Sequence, residues 1–127
     1  MSWQPVGNKT ADHVVQNVEG TDHYFFEFNR SEGHIKIHYT ISRRRMPSGN
    51  IRCRLNFDQI EVIDDKEIGS GDWRITTRLN GFNCNNSPEE HWSVGSGSEE
   101  DLYAFRTVTV PPHTYLFVYC RVQEEDS

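Results

Sequence analysis

The chain has 127 residues, with 19 acidic against 13 basic side chains and a formal charge of -6. That length suits one core rather than two, and the acidic balance argues against a general nucleic-acid binder, which needs a net basic face. No apolar run approaches the roughly 18 residues a membrane helix requires, so no transmembrane segment is expected.

The opening Met1-Ser2-Trp3-Gln4-Pro5 has neither a basic n-region nor an apolar h-region, so no secretory signal is visible. From about residue 1 to 20 no period is sustained, and this stretch reads as an irregular N-terminus. Within it, residues 12–18 suit either one helical turn or an edge strand. Tyr24, Phe26 and Phe28 then fall on one side of a strand, and Ser31-Glu32-Gly33 turns the chain into a second. There Ile35, Ile37, Tyr39 and Ile41 alternate with His34, Lys36, His38 and Thr40. The two segments predict a hairpin.

Met46-Pro47-Ser48-Gly49-Asn50 is turn chemistry. Beyond it Ile51, Cys53, Leu55 and Phe57 share one parity, while Ile60 and Val62 take the other. A regular strand cannot switch faces, so a bulge or bend is expected near Asp58-Gln59. An acidic, glycine-broken loop follows at residues 64–72, and then a strand over Trp73 to Leu79. From Asn80 to about Glu100 the composition is loop-like, with room for a short strand around His91 to Val94. Leu102 to Val110 and Tyr115 to Val122 read as strands, and the short Pro111-Pro112-His113-Thr114 link between them predicts a hairpin. The acidic tail over 123–127 reads as frayed.

Turn-separated strands without a helical segment a dozen residues long predict an all-β, single-domain antiparallel β-sandwich of about seven or eight strands, with a barrel-like variant as the alternative. Cys53, Cys84 and Cys120 make an odd count without CxxC spacing. Cys53 and Cys120 fall on the apolar side of a strand pattern and read as buried, and free thiols favour a reducing, cytoplasmic compartment over a disulfide framework.

The loop at residues 64–72 gathers Asp64, Asp65, Glu67 and Asp72, with Gly69 and Gly71 letting the backbone fold tightly. Calcium takes six to eight oxygens, so such a loop can supply part of a shell, with Glu124, Glu125 and Asp126 completing it if the last strand lies alongside. The bland alternative is a solvated acidic turn. The strand, acidic glycine loop and following strand over residues 55–79 resemble the calcium- and lipid-binding β-sandwich domains of the protein-kinase-C conserved-region-two kind. That resemblance implies Asp65 and Asp72 as calcium ligands and peripheral contact with a lipid surface. Where the family carries Asp-Pro-Tyr, this chain has Asp72-Trp73-Arg74.

Arg43, Arg44 and Arg45, with Arg52 and Arg54 across the turn, form the main basic cluster and suit an acidic protein partner, an anionic lipid or the acidic end of a second copy of the chain. They read equally well as an edge that discourages aggregation. Trp92, in the long polar region near Asn83 to Asn86, suits carbohydrate stacking if exposed and loop anchoring if not. His34 and His38 share a strand face but lie about 13 Å apart in extended chain, too far to chelate one ion. No nucleophile elbow, P-loop, dinucleotide-binding glycine pattern or zinc-ligand pair is present. The chain therefore reads as a non-catalytic binding module that is calcium-responsive, with a metal-independent interaction or structural subunit and a sugar-binding sandwich as alternatives.

Overall fold

Alternation of apolar and polar residues governs most of the chain, and in a computed structural model it folds as strands with no helix among the described residues, 2–66, 70–84 and 91–126. In order these are β1 (Ser2–Val14), β2 (Gly20–Arg30), β3 (Gly33–Arg45), β4 (Ile51–Asp64), β5 (Ser70–Leu79), β6 (Phe82–Asn83), β7 (His91–Gly95), β8 (Ser98–Val110) and β9 (Tyr115–Asp126). They form two antiparallel sheets packed face to face. One runs β1-β9-β5-β6, with β7 also on β5, and the other runs β2-β3-β4-β8. The all-β sandwich expected from the alternation is what forms.

The core lies between the central strands of each sheet. Ile35, Ile37, Ile41, Cys53, Leu55 and Phe57 of β3 and β4 face Trp73, Ile75, Val118 and Val122 of β5 and β9, and all are buried. Each large apolar side chain removed from water in this way contributes about 1.5–3 kcal/mol before the cost of ordering. Trp73 is fully buried and its indole Nε1 donates to the Val94 carbonyl at 3.0 Å. Its ring lies so close to Gly33 that a Cβ there would sit 2.7 Å from Cη2. The turn from β2 to β3 therefore needs glycine for close approach and not for an unusual φ.

The β2–β3 hairpin pairs Phe28 with Ile35 and Tyr24 with Tyr39. The parity change in β4 is a bulge, as expected: the register against β8 shifts between Phe57 and Gln59, and the register against β3 shifts at the same place. The short β7 also lies where the sequence suggested it.

Three expectations need correction. The N-terminal 20 residues are not irregular, because β1 pairs with β9 from Ser2 to Val14. Pro5 and Gly7 hide this strand from a pattern search. They flank a register shift on the edge of the sheet, where a missing N–H is tolerated. The acidic tail is not frayed through its length, since β9 continues to Asp126, with Glu124 opposite Trp73. β8 and β9 are not a hairpin either. The Pro111-Pro112 corner carries the chain from one sheet to the other, and it is tied instead to the β1–β2 connection through His113 N to Val15 O at 2.7 Å and Val15 N to Thr114 O at 2.8 Å. Consecutive prolines donate no ladder hydrogen bonds, so the two strands diverge there.

All three cysteines are free and buried, and burial pushes their thiols up, Cys84 to about 11.

Candidate functional site

At the acidic pole each described carboxylate has its own local donor. Asp64, ending β4, accepts from the Lys66 backbone N–H at 2.9 Å and pairs with Lys66 Nζ at 3.0 Å. These contacts hold its carboxyl below the usual carboxylate range. Asp65 is 1 % exposed and its Oδ1 accepts from Ser96 Oγ at 3.0 Å, while its own N–H donates back to that hydroxyl at 2.8 Å. Asp72 accepts from Ser93 Oγ across the β5–β7 pairing. Glu67 lies outside the described residues.

The last strand does run beside this pole, yet parity keeps its Glu124 apart from Asp72. Glu124 pairs with Trp73 and shares its inward face, at 5 % exposure, whereas Asp72, one residue earlier, points the other way. Among the described residues no three His, Cys, Asp or Glu side chains are grouped to hold a metal ion.

Trp92 is half-buried, pairs with Trp73 and packs against the core. It therefore offers no flat exposed ring. Asn83 is bonded within the protein, its Oδ1 accepting from Arg78 Nε at 3.1 Å and its carbonyl from Arg106 at 3.1 Å. Asn85 and Asn86 lie outside the described residues.

The basic cluster divides in two. Arg43 is turned back toward the β1–β2 connection, with Nη1 on Asp22 Oδ2 at 2.7 Å and Nε on the Val18 carbonyl at 2.9 Å. Arg45 likewise donates from Nη2 to the Asn17 carbonyl at 2.9 Å and from its backbone to Glu19 at 3.1 Å. These two guanidiniums brace the fold. Arg44, Arg52 and Arg54 have the opposite parity and stand exposed on the outer face of the β2-β3-β4-β8 sheet. Arg44 is directly opposite Arg52 in the β3–β4 register, and Arg54 is opposite Ser42 on one side and Thr107 on the other. Among the described residues none of the three forms an ion pair. They surround a shallow cavity of roughly 210 Å3, lined also by Ser42, Arg43 and Thr107.

Two aromatic side chains extend this face. Phe105 is 48 % exposed and its ring centroid lies 4.2 Å from the Arg54 guanidinium carbon, a cation–π contact. Tyr103 is 72 % exposed and adopts a φ of 55° where β8 opposes the β4 bulge. The sequence reading passed over both residues. Their signal was the outward parity of 103, 105 and 107 against the apolar Leu102 and Ala104.

Farther along the same face the charge reverses. His38 Nε2 donates to Glu61 Oε1 at 2.9 Å, its Nδ1 lies 3.0 Å from His23 Nε2, and His34 Nε2 lies 2.6 Å from Glu27 Oε2. Gln59 Nε2 donates to Glu99 Oε2 at 2.9 Å beyond them. The outer face is thus basic and unpaired at one end, and acidic with hydrogen-bonded partners at the other. Comparison of the chain with protein-family models, with curated proteins and with solved structures finds no match, so the arrangement of these residues is what bears on function.

Proposed function

We propose that this chain is a non-catalytic, metal-independent interaction module that captures an acidic segment of a protein partner on the Arg44–Arg52–Arg54 face. One observation carries the reading. Two arginines stand opposite each other on adjacent strands, with a third beside them, and no described carboxylate pairs with any of them. Like charges in directly opposed positions destabilise a sheet, so the fold gains nothing from holding them there. A partner that supplies the missing negative charge removes the repulsion and adds charge-assisted hydrogen bonds. Arginine and exposed aromatic residues are also the side chains that dominate interface energies, and Arg54 with Phe105 places one on the other.

The acidic loop supports this role by a different route. Asp64, Asp65 and Asp72 each accept a local hydrogen bond, whereas Arg44, Arg52 and Arg54 form no ion pair among the described residues. The test is binding of a fluorescent peptide rich in Asp and Glu, followed by anisotropy at several salt concentrations. Binding that weakens with salt and disappears in an Arg44→Glu, Arg52→Glu double variant is the expected result. Binding unaffected by that double variant would sink the proposal.

A further inference from the structure

Resting on that reading, the geometry of the cavity narrows the partner's chemistry. We infer that the site between Arg44, Arg52 and Arg54 receives a dianionic phosphoryl group on a phosphorylated side chain of the partner segment. A carboxylate brings one negative charge to three guanidiniums. A phosphoryl group brings close to two, with three acceptor oxygens arranged to meet more than one planar fork. Arg44 and Arg52 approach from β3 and β4 as direct partners, and Arg54 stands one outward position farther along β4. A tetrahedral oxyanion placed between them can accept from all three.

The surroundings match that ligand. Arg54 already has a contact of its own, its guanidinium lying over the Phe105 ring at 4.2 Å from the centroid. The hydroxyl residues Ser42 and Thr107, its register partners on either side, also line the cavity; the Ser42 hydroxyl is shared with Thr21 Oγ1 at 3.0 Å. A volume of roughly 210 Å3 admits a phosphoryl group and the end of its side chain. It falls below the ~300–1,000 Å3 typical of sites that enclose a whole small molecule. Arg43 lines the cavity too, but it is committed to Asp22 and the Val18 carbonyl, so it contributes field rather than hydrogen bonds.

A phosphorylated protein segment fits better than a phosphorylated lipid surface. Glu27, Glu61 and Glu99 stand along the same sheet face, with Lys36 opposite the first two, and the whole chain carries a charge of -6. A broad anionic membrane laid on this face would meet those carboxylates, whereas a narrow strand of chain entering at the arginine end need not.

The experiment is titration of the whole protein, followed by amide NMR shifts and calorimetry, with four probes: inorganic phosphate, an acidic peptide carrying one phosphoserine, the same peptide with glutamate at that position, and vesicles containing phosphorylated inositol lipid. The phosphopeptide should bind at least about tenfold more tightly than its glutamate counterpart. Inorganic phosphate should move the amides of residues 42, 44, 52, 54 and 107. Arg52→Lys keeps the charge but loses the fork, so it should reduce the phosphopeptide preference while leaving glutamate-peptide binding largely intact. Arg121→Ala, on the other sheet, should change neither.

Equal affinity for phosphoserine and glutamate peptides would overturn the phosphoryl assignment and leave the acidic-segment reading standing. No binding by either peptide would overturn both. Vesicle binding stronger than phosphopeptide binding would overturn the choice of a protein segment. Melting curves of Arg52→Lys that overlay the wild type exclude misfolding as the cause of any loss.

Discussion

The acidic loop and the basic turn are equally conspicuous as charged stretches of chain, and the fold disposes of them in opposite ways. Asp64, Asp65 and Asp72 each receive a donor, from Lys66, Ser96 and Ser93. Arg44 is set directly across from Arg52, which has Thr109 on its other side, with Arg54 close by and no carboxylate paired to any of the three among the described residues. The difference comes from register and parity. At the acidic pole, alternation sends Asp72 and Glu124 to opposite faces of one sheet, Glu125 keeps the parity of Asp72, and each described loop aspartate finds a donor of its own. At the basic turn, the tight β3–β4 connection brings two outward-facing arginines into direct opposition, so the charge concentrates. How many charges a segment carries matters less than what strand pairing sets across from each one.

The acidic pole, if it is scaffold, should be costly to disturb. Trp73→Ala removes the largest fully buried side chain there, and its loss should cost about 3–5 kcal/mol by denaturant unfolding. A cost below about 1 kcal/mol would mean that the ring does not anchor the pole. Asp65→Ala comes next. It removes the carboxylate to which exposed Ser96 donates, a part-buried hydrogen bond to a charged group, and should cost about 1–3 kcal/mol. Millimolar calcium added to chelator-treated protein should raise the melting temperature no more than magnesium does. A calcium-selective rise of several degrees would mean instead that the loop binds the ion and the two poles are both binding sites.

A smaller effect lies at the edge of the core between the sheets. His13 Nε2 is 2.8 Å from the Tyr39 hydroxyl and its ring lies against Tyr24. Burial lowers its pKa from 6.5, against the opposing influence of Asp12 and Asp22. Because the folded state holds the neutral form, the unfolded chain binds more protons in this window. Stability should therefore fall as pH drops below about 6.5 toward the depressed folded value. Melting temperatures between about pH 7.5 and 5.5 stay above the titration of Glu27 and Asp64, both of which are lowered. His13→Gln should flatten that slope, and an unchanged slope would assign it elsewhere.

The smallest effect has the opposite sign and bears most directly on the basic turn. Arg44→Glu replaces repulsion across from Arg52 with attraction. At low salt it should stabilise the protein by about 0.2–1 kcal/mol, shrinking as salt is added. Destabilisation would show that Arg44 serves the fold, and the contrast between the two poles would disappear.

Local alternation made much of the architecture legible. Ile35, Ile37, Tyr39 and Ile41 announced a buried strand face, and the break in parity after Phe57 announced a bulge. Pro5 and Gly7 concealed β1 because its regularity resides in pairing with β9 and not in its own pattern. The crossing at Pro111-Pro112 was equally hidden, since a short link does not reveal which sheet receives the next strand. The division of the arginines was within reach. Continuing the β3 alternation past Ile41 puts Arg43 and Arg44 on opposite sides, but only the register shows that Arg44 ends up facing Arg52.

The three buried thiols give the molecule a built-in clock. A thiolate is the species that reacts with alkylating reagents, and burial suppresses that form at Cys53, Cys84 and Cys120. Modification must therefore wait for the chain around each sulfur to open. Cys53 belongs to β4 of one sheet, Cys120 to β9 of the other, and Cys84 follows β6. Mass-resolved labelling would time the opening of each sheet separately, with no probe introduced into the native sequence.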